Sequence, residues 1–104
     1  MTDEKHTTVS YLQSYVAEKP TMGGADHYML KLIEEVGELA KAVGKDKRRL
    51  STVKDTIDEE LWDVIYYCIR LANYYGVDLE KTIRDKEILN KEKYGFSAVF
   101  ETGR

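Results

Sequence analysis

The sequence predicts an all-α domain of four helices, and three observations carry that reading. Apolar residues recur at three- and four-residue steps through four segments, the period of one helical face. The single proline and the few glycines punctuate those segments and leave almost no room for strands. Helix-starting and helix-ending residues stand at the breaks: Asp26, Gly44, Ser51 or Thr52, Gly76, Asp78 and Gly95.

The first helix follows from Val9, Leu12, Tyr15 and Val16 and must end before Pro20. Thr21 to Ala25 reads as a loop, with Asp26 as N-cap of the second helix and Gly44 as its end. Lys45 to Leu50 is a basic connector, which on its own reads as a solvated loop. Ser51 or Thr52 is the expected cap of a third helix running to Tyr75, with Gly76 as its stop. Asp78 caps a fourth helix from Leu79 to about Tyr94, and Gly95 ends it. This organisation is one domain: a flexible start over 1–7, a helical body over 8–95 and a tail over 96–104 with no clear period.

The second and third helices carry the distinctive chemistry. On the second, Leu32, Val36, Leu39, Ala40 and Val43 form an apolar stripe, and Glu35 and Glu38 stack on one edge of it. On the third, the stripe is Ile57, Leu61, Val64, Ile65, Cys68, Leu71, Ala72 and Tyr75, and Glu60 and Asp63 lie on its edge. At roughly 100° per residue, the two acidic edges fall on the same rotational side of their stripes. An antiparallel pair, expected for a short connector, brings both edges to the same flank. A single such pair of acids is compatible with a solvated face. Four converging carboxylates are different, because two unit charges about 4 Å apart interact by about 4 kcal/mol at an effective dielectric of ~20. Against a typical stability of about 5–15 kcal/mol, that repulsion calls for a hard divalent cation with oxygen ligands.

Charge and composition remove several classes. A net charge of −3 argues against a binder of nucleic-acid polymers. No apolar run approaches the ~20 residues that span a bilayer, and Met1 to Thr8 has no secretory h-region. The lone cysteine, Cys68, reads as core packing and excludes an intrachain disulfide, which suits a reducing cytoplasm. Trp62, Tyr66 and Ile69 project from the side of the third helix opposite its stripe, so that helix offers apolar groups on two faces and calls for a partner subunit.

Glu35-x-x-Glu38 and Glu60-x-x-Asp63, joined by a short connector, resemble the signature of the MazG-like, all-α nucleoside triphosphate pyrophosphohydrolases, relatives of the dimeric dUTPases and dCTP pyrophosphatases. Gly76-Val77-Asp78-Leu79-Glu80, followed by Lys86, Asn90, Lys93 and Tyr94, resembles the last helix of that family. The likeness runs from about Leu30 to Gly95. It implies a four-helix MazG-like protomer that completes a helical bundle as a homodimer or homotetramer. It implies that Glu35, Glu38, Glu60 and Asp63 hold Mg²⁺, with Mn²⁺ as a possible substitute. It also implies that Lys86, Asn90 and Lys93 meet the phosphates or sugar of a nucleoside triphosphate, which is cleaved to monophosphate and pyrophosphate. Trp62 stands where many relatives carry a small residue, and the first helix matches no family motif.

Within that chemistry Glu38 is the candidate to orient or deprotonate the attacking water, while Glu34 and Glu59 read mostly as solvated. Tyr67 and Tyr74 follow Asp63 along one edge, placed either to stack on a base or to pack against a neighbour. His27 reads as a surface residue. Two rivals remain to be weighed. A di-iron bundle needs Glu-x-x-His, and neither histidine has that spacing. A helical oligomerisation or regulatory module would bind nucleotide without releasing pyrophosphate.

Overall fold

A computed structural model describes residues 7–95. The expected flexible start, apart from Thr7, and the expected tail over 96–104 lie outside those residues. Four helices follow in order: α1 (Val9–Ala17), α2 (Ala25–Gly44), α3 (Ile57–Tyr74) and α4 (Leu79–Tyr94). No strand occurs among the described residues, and none of their helices is long and apolar enough to cross a membrane.

Local chemistry sets each boundary. Thr8 Oγ1 accepts from the Tyr11 amide at 3.0 Å to start α1, and Asp78 Oδ1 accepts from the Lys81 amide at 3.2 Å to start α4. Gly95, in the left-handed region at φ 79°, closes α4 as expected. Two caps differ from expectation. The N-cap of α2 is Gly24, without a side-chain bond, and Asp26 sits in the first turn, where its charge still complements the helix dipole. The cap of α3 is Thr56 rather than Ser51 or Thr52. Its Oγ1 accepts from the Glu59 amide at 3.3 Å, while Glu59 Oε1 accepts from the Asp55 amide at 2.7 Å. The order Thr56-x-x-Glu59 is a capping-box pattern that the sequence displays.

The helices α2 and α3 pack antiparallel. At one end the start of α2 approaches the end of α3, where the Arg70 guanidinium donates to the Pro20 carbonyl at 3.0 Å. At the other, the Ile57 amide donates to the Lys47 carbonyl at 2.8 Å. α1 packs on α3, and α4 makes its main packing against α1. Gln13 ties these three helices together: its side-chain nitrogen donates to Asn73 Oδ1 and to the Val77 carbonyl, and its Oε1 accepts from the Leu79 amide.

Among the described residues the buried apolar ones are Val16, Tyr28, Ala42, Ile69 and Ala72, a thin core. This departs from the expected stripes. Val36, Val43, Leu61 and Ile65 are 48, 56, 47 and 46% exposed, and Cys68 is exposed rather than packed in the core. The helix pair is rotated so that Glu35 and Asp63 occupy the seam. At roughly 100° per residue, the apolar stripes of both helices then turn to one common flank of the pair.

Candidate active site

The centre of the α2–α3 seam holds three carboxylates. Glu35 comes from the middle of α2, and Glu60 and Asp63 come from adjacent turns of α3. One carboxylate oxygen from each lies within 4.8 Å of the others. All three are half-buried, and Glu60 Oε1 is buried with no hydrogen-bond partner. Burial, and then the neighbouring acids, raise all three pKa values above the ordinary carboxylate range. For Glu35 the acid that matters most is Asp63; for Glu60 it is Asp63 and then Glu35; for Asp63 it is Glu59. Three oxygen donors at this spacing, one of them unsatisfied, fit a hard divalent cation.

Glu38 stands one turn beyond Glu35 but outside this trio. It is exposed, its carboxylate is 3.6 Å from Lys41 Nζ, and it borders a cavity that Glu60 also borders. The structure therefore brings together three of the four expected acids, with the fourth beside them. Glu34 pairs with Lys31 at 2.9 Å, and Glu59 serves the cap of α3.

Tyr67 lies half-buried one turn beyond Asp63. Burial raises its hydroxyl pKa, and Lys31, Glu35 and Asp63 are near enough to act on it. Its ring meets Tyr66 edge-on with centroids 5.0 Å apart, and Tyr66 meets Trp62 in the same way at 6.0 Å. Tyr74 is exposed and meets Tyr75 edge-on, and His27 lies edge-on against Tyr28. The α4 row is placed differently. Lys86 is exposed, Asn90 donates to Glu87 Oε2 at 3.2 Å, and the Lys93 ammonium sits 5.3 Å from the Tyr94 ring centre. These partners are on α4 itself, and α4 rests on α1 rather than over the carboxylates.

Sequence reasoning missed Arg70, which is buried at the end of the same seam. Its guanidinium lies 5.3 Å from the ring centres of both Tyr28 and Tyr66, and its Nε donates to Tyr66 Oη at 3.1 Å. Tyr66 and Arg70 are one helical turn apart, a spacing that could have flagged the pair.

A helical fold with a carboxylate cluster in its central seam is a scaffold that can hold a divalent cation. Residues 24–94 match the family described as the MazG nucleotide pyrophosphohydrolase domain. The chain belongs to that family and is a nucleotide pyrophosphohydrolase, a hydrolase acting on phosphoanhydride bonds. Among solved structures, N-terminally tagged iMazG from Vibrio DAT 722 is 46% identical with a TM-score of 0.77, over 86% of this chain and 100% of that one. The C-terminally tagged form of the same protein is also 46% identical, with a TM-score of 0.75, over 82% of this chain and 99% of that one. A comparison with curated proteins matched none.

Proposed function

We propose that the chain hydrolyses the α–β anhydride of a nucleoside or deoxynucleoside triphosphate in a Mg²⁺-dependent reaction. One water is consumed, monophosphate and pyrophosphate form, and one proton is released. The observation that carries this reading is the approach of Glu35, Glu60 and Asp63 to within 4.8 Å of one another. Those three would hold Mg²⁺, or Mn²⁺ in its place, with Glu38 able to join them, and the bound ion supplies neutralisation of phosphate charge and activation of a water.

The side chains divide the remaining work. Glu38, exposed and outside the trio, accepts the proton of the attacking water. The half-buried Tyr67, one turn beyond Asp63, would offer its ring and hydroxyl to a sugar or base. Lys86, Asn90 and Lys93 supply positive charge and an amide to the phosphates or sugar. Because α4 rests on α1 in this protomer, that row serves a carboxylate cluster through assembly into a homodimer or homotetramer. The apolar flank left open on α2 and α3 supports such an assembly. Neither a nucleic-acid polymer nor a membrane is part of this reading.

The test is incubation with each common nucleoside and deoxynucleoside triphosphate, with Mg²⁺ and with chelator, reading both products. Monophosphate and pyrophosphate are expected with Mg²⁺ only. Diphosphate with orthophosphate would show a different reaction class.

A further inference from the structure

We infer that the cavity at the C-terminal end of α2 is a cationic subsite for the pyrophosphate half of the substrate, with Lys45 and Lys47 as its phosphate ligands. The inference rests on the reading of the chain as a triphosphate pyrophosphohydrolase and assigns a role to the basic connector, which that reading leaves unused.

The cavity measures about 190 Å³ and is bordered by Lys41, Lys45 and Lys47 together with Glu38, Asp55 and Glu60. At roughly 30 Å³ of liquid volume per water, such a space holds about six waters, room for two linked phosphate groups. It adjoins the carboxylate trio through a shared residue, since Glu60 belongs to both. A chain of phosphates that begins at the trio and runs into this cavity therefore meets the positive charge of its lysines.

The charges of the cavity are unevenly satisfied. Glu38 has Lys41 at 3.6 Å, and Asp55 has Lys54 at 3.4 Å. Lys45 and Lys47 have no carboxylate within 4.0 Å among the described residues. Two ammonium groups are thus left over at the cavity, and an ammonium is a compact point charge well suited to phosphate oxygens. The negative end of the α2 dipole favours lysines here but repels an anion, so attraction for phosphate has to come from the side chains.

The backbone fixes where these lysines start. The Lys45 amide donates to the Lys41 carbonyl at 3.1 Å, and the Lys47 amide donates to the Ala42 carbonyl at 3.0 Å. The Lys47 carbonyl in turn accepts from the Ile57 amide at 2.8 Å, which clamps the connector to the start of α3. Asp46, at φ 52°, makes the reversal between the two lysines, and its carboxylate is held by Arg48 at 2.7 Å. The connector is therefore an anchored turn at the edge of the seam, not a free loop.

The experiment compares the full-length wild type, a Lys45→Ala/Lys47→Ala double variant, a Lys45→Arg/Lys47→Arg double variant and a Lys81→Ala control on α4. Inhibition of triphosphate turnover by inorganic pyrophosphate and by nucleoside monophosphate is measured for each, with direct calorimetric titration of pyrophosphate in the presence of Mg²⁺. The alanine pair should weaken pyrophosphate fivefold or more by both measurements and leave monophosphate inhibition unchanged. The arginine pair should restore most of the loss, and Lys81→Ala should match wild type. A change in pyrophosphate binding of less than fivefold overturns the assignment. So does a loss confined to the monophosphate, which would place the nucleoside end in this cavity. If wild type cleaves no triphosphate, the enzymatic reading fails on its own account, while the calorimetric arm still decides whether the cavity binds pyrophosphate.

Discussion

Glu35 and Asp63 face each other across the α2–α3 seam, and one carboxylate oxygen of each lies within 4.8 Å of the other. Each carboxylate is held above its ordinary pKa, chiefly by burial and then by neighbouring acids. The folded chain therefore binds more protons than the unfolded chain between the ordinary carboxylate range and the raised values. Stability must fall as pH rises through that window and must recover as pH is lowered through it. In the absence of metal, lowering the pH from neutral toward the ordinary carboxylate range should stabilise wild type relative to Glu35→Gln in thermal melts, because the variant lacks one of the raised carboxylates. An identical pH trend in wild type and Glu35→Gln would mean that the carboxylates are not mutually strained.

The same repulsion makes metal binding a stabilising event. A ligand at 100 times its Kd adds about 2.7 kcal/mol. For a domain of this size that corresponds to a rise of roughly 10 °C or more. Saturating Mg²⁺ should produce such a shift in a thermal melt, and chelator should reverse it. An unchanged midpoint at millimolar Mg²⁺ would argue against a metal in the seam.

Removing charge without removing volume separates catalysis from folding. Glu60→Gln and Asp63→Asn should abolish turnover while leaving the metal-free protein as stable as wild type or more so, because each relieves a like-charge contact between half-buried groups. Glu38→Gln should also abolish turnover but keep most of the Mg²⁺-induced rise, since Glu38 stands outside the trio. Wild-type turnover in any of these would remove that residue from the site.

Assembly is expected from the open flank. Val36, Val43, Leu61 and Ile65 are about half exposed, and helical periodicity turns them to one side of the α2–α3 pair. Sedimentation should show a homodimer or homotetramer at micromolar concentration, and Leu61→Glu with Ile65→Glu should drive it toward monomer. A wild-type monomer under those conditions would leave this flank without a partner.

The α4 row provides a paired test. Lys86→Ala should lower affinity or turnover by tenfold or more, on the order of 1.4 kcal/mol, with helix content and assembly unchanged. Lys91→Ala, one step off the row, should have little effect. Small and equal effects in both would identify the row as solvated surface. In the monomerising Leu61→Glu/Ile65→Glu background, turnover should already be lost if the row acts across subunits.

What the sequence determined by itself is what depends on spacing along one chain. Helical periodicity, with Asp78 and Gly95 at the ends of α4, specified an all-α domain. The steps from Glu35 to Glu38 and from Glu60 to Asp63, with the residues of α4, were enough to identify the family. The cap of α3 was legible in Thr56-x-x-Glu59, although Ser51 and Thr52 competed for it in the sequence. What only the tertiary structure decided is rotation, because periodicity marks an apolar side without saying which element covers it. Both α2 and α3 have an acidic edge beside an apolar stripe, and either could in principle enter the seam. The structure turns Glu35 and Asp63 inward, leaves Leu61, Ile65 and Cys68 open, and sets Glu38 beside the lysine-lined cavity. A site for a cation needs ligands from two helices to point at one volume, and the packing angle that creates this volume is written in neither helix alone.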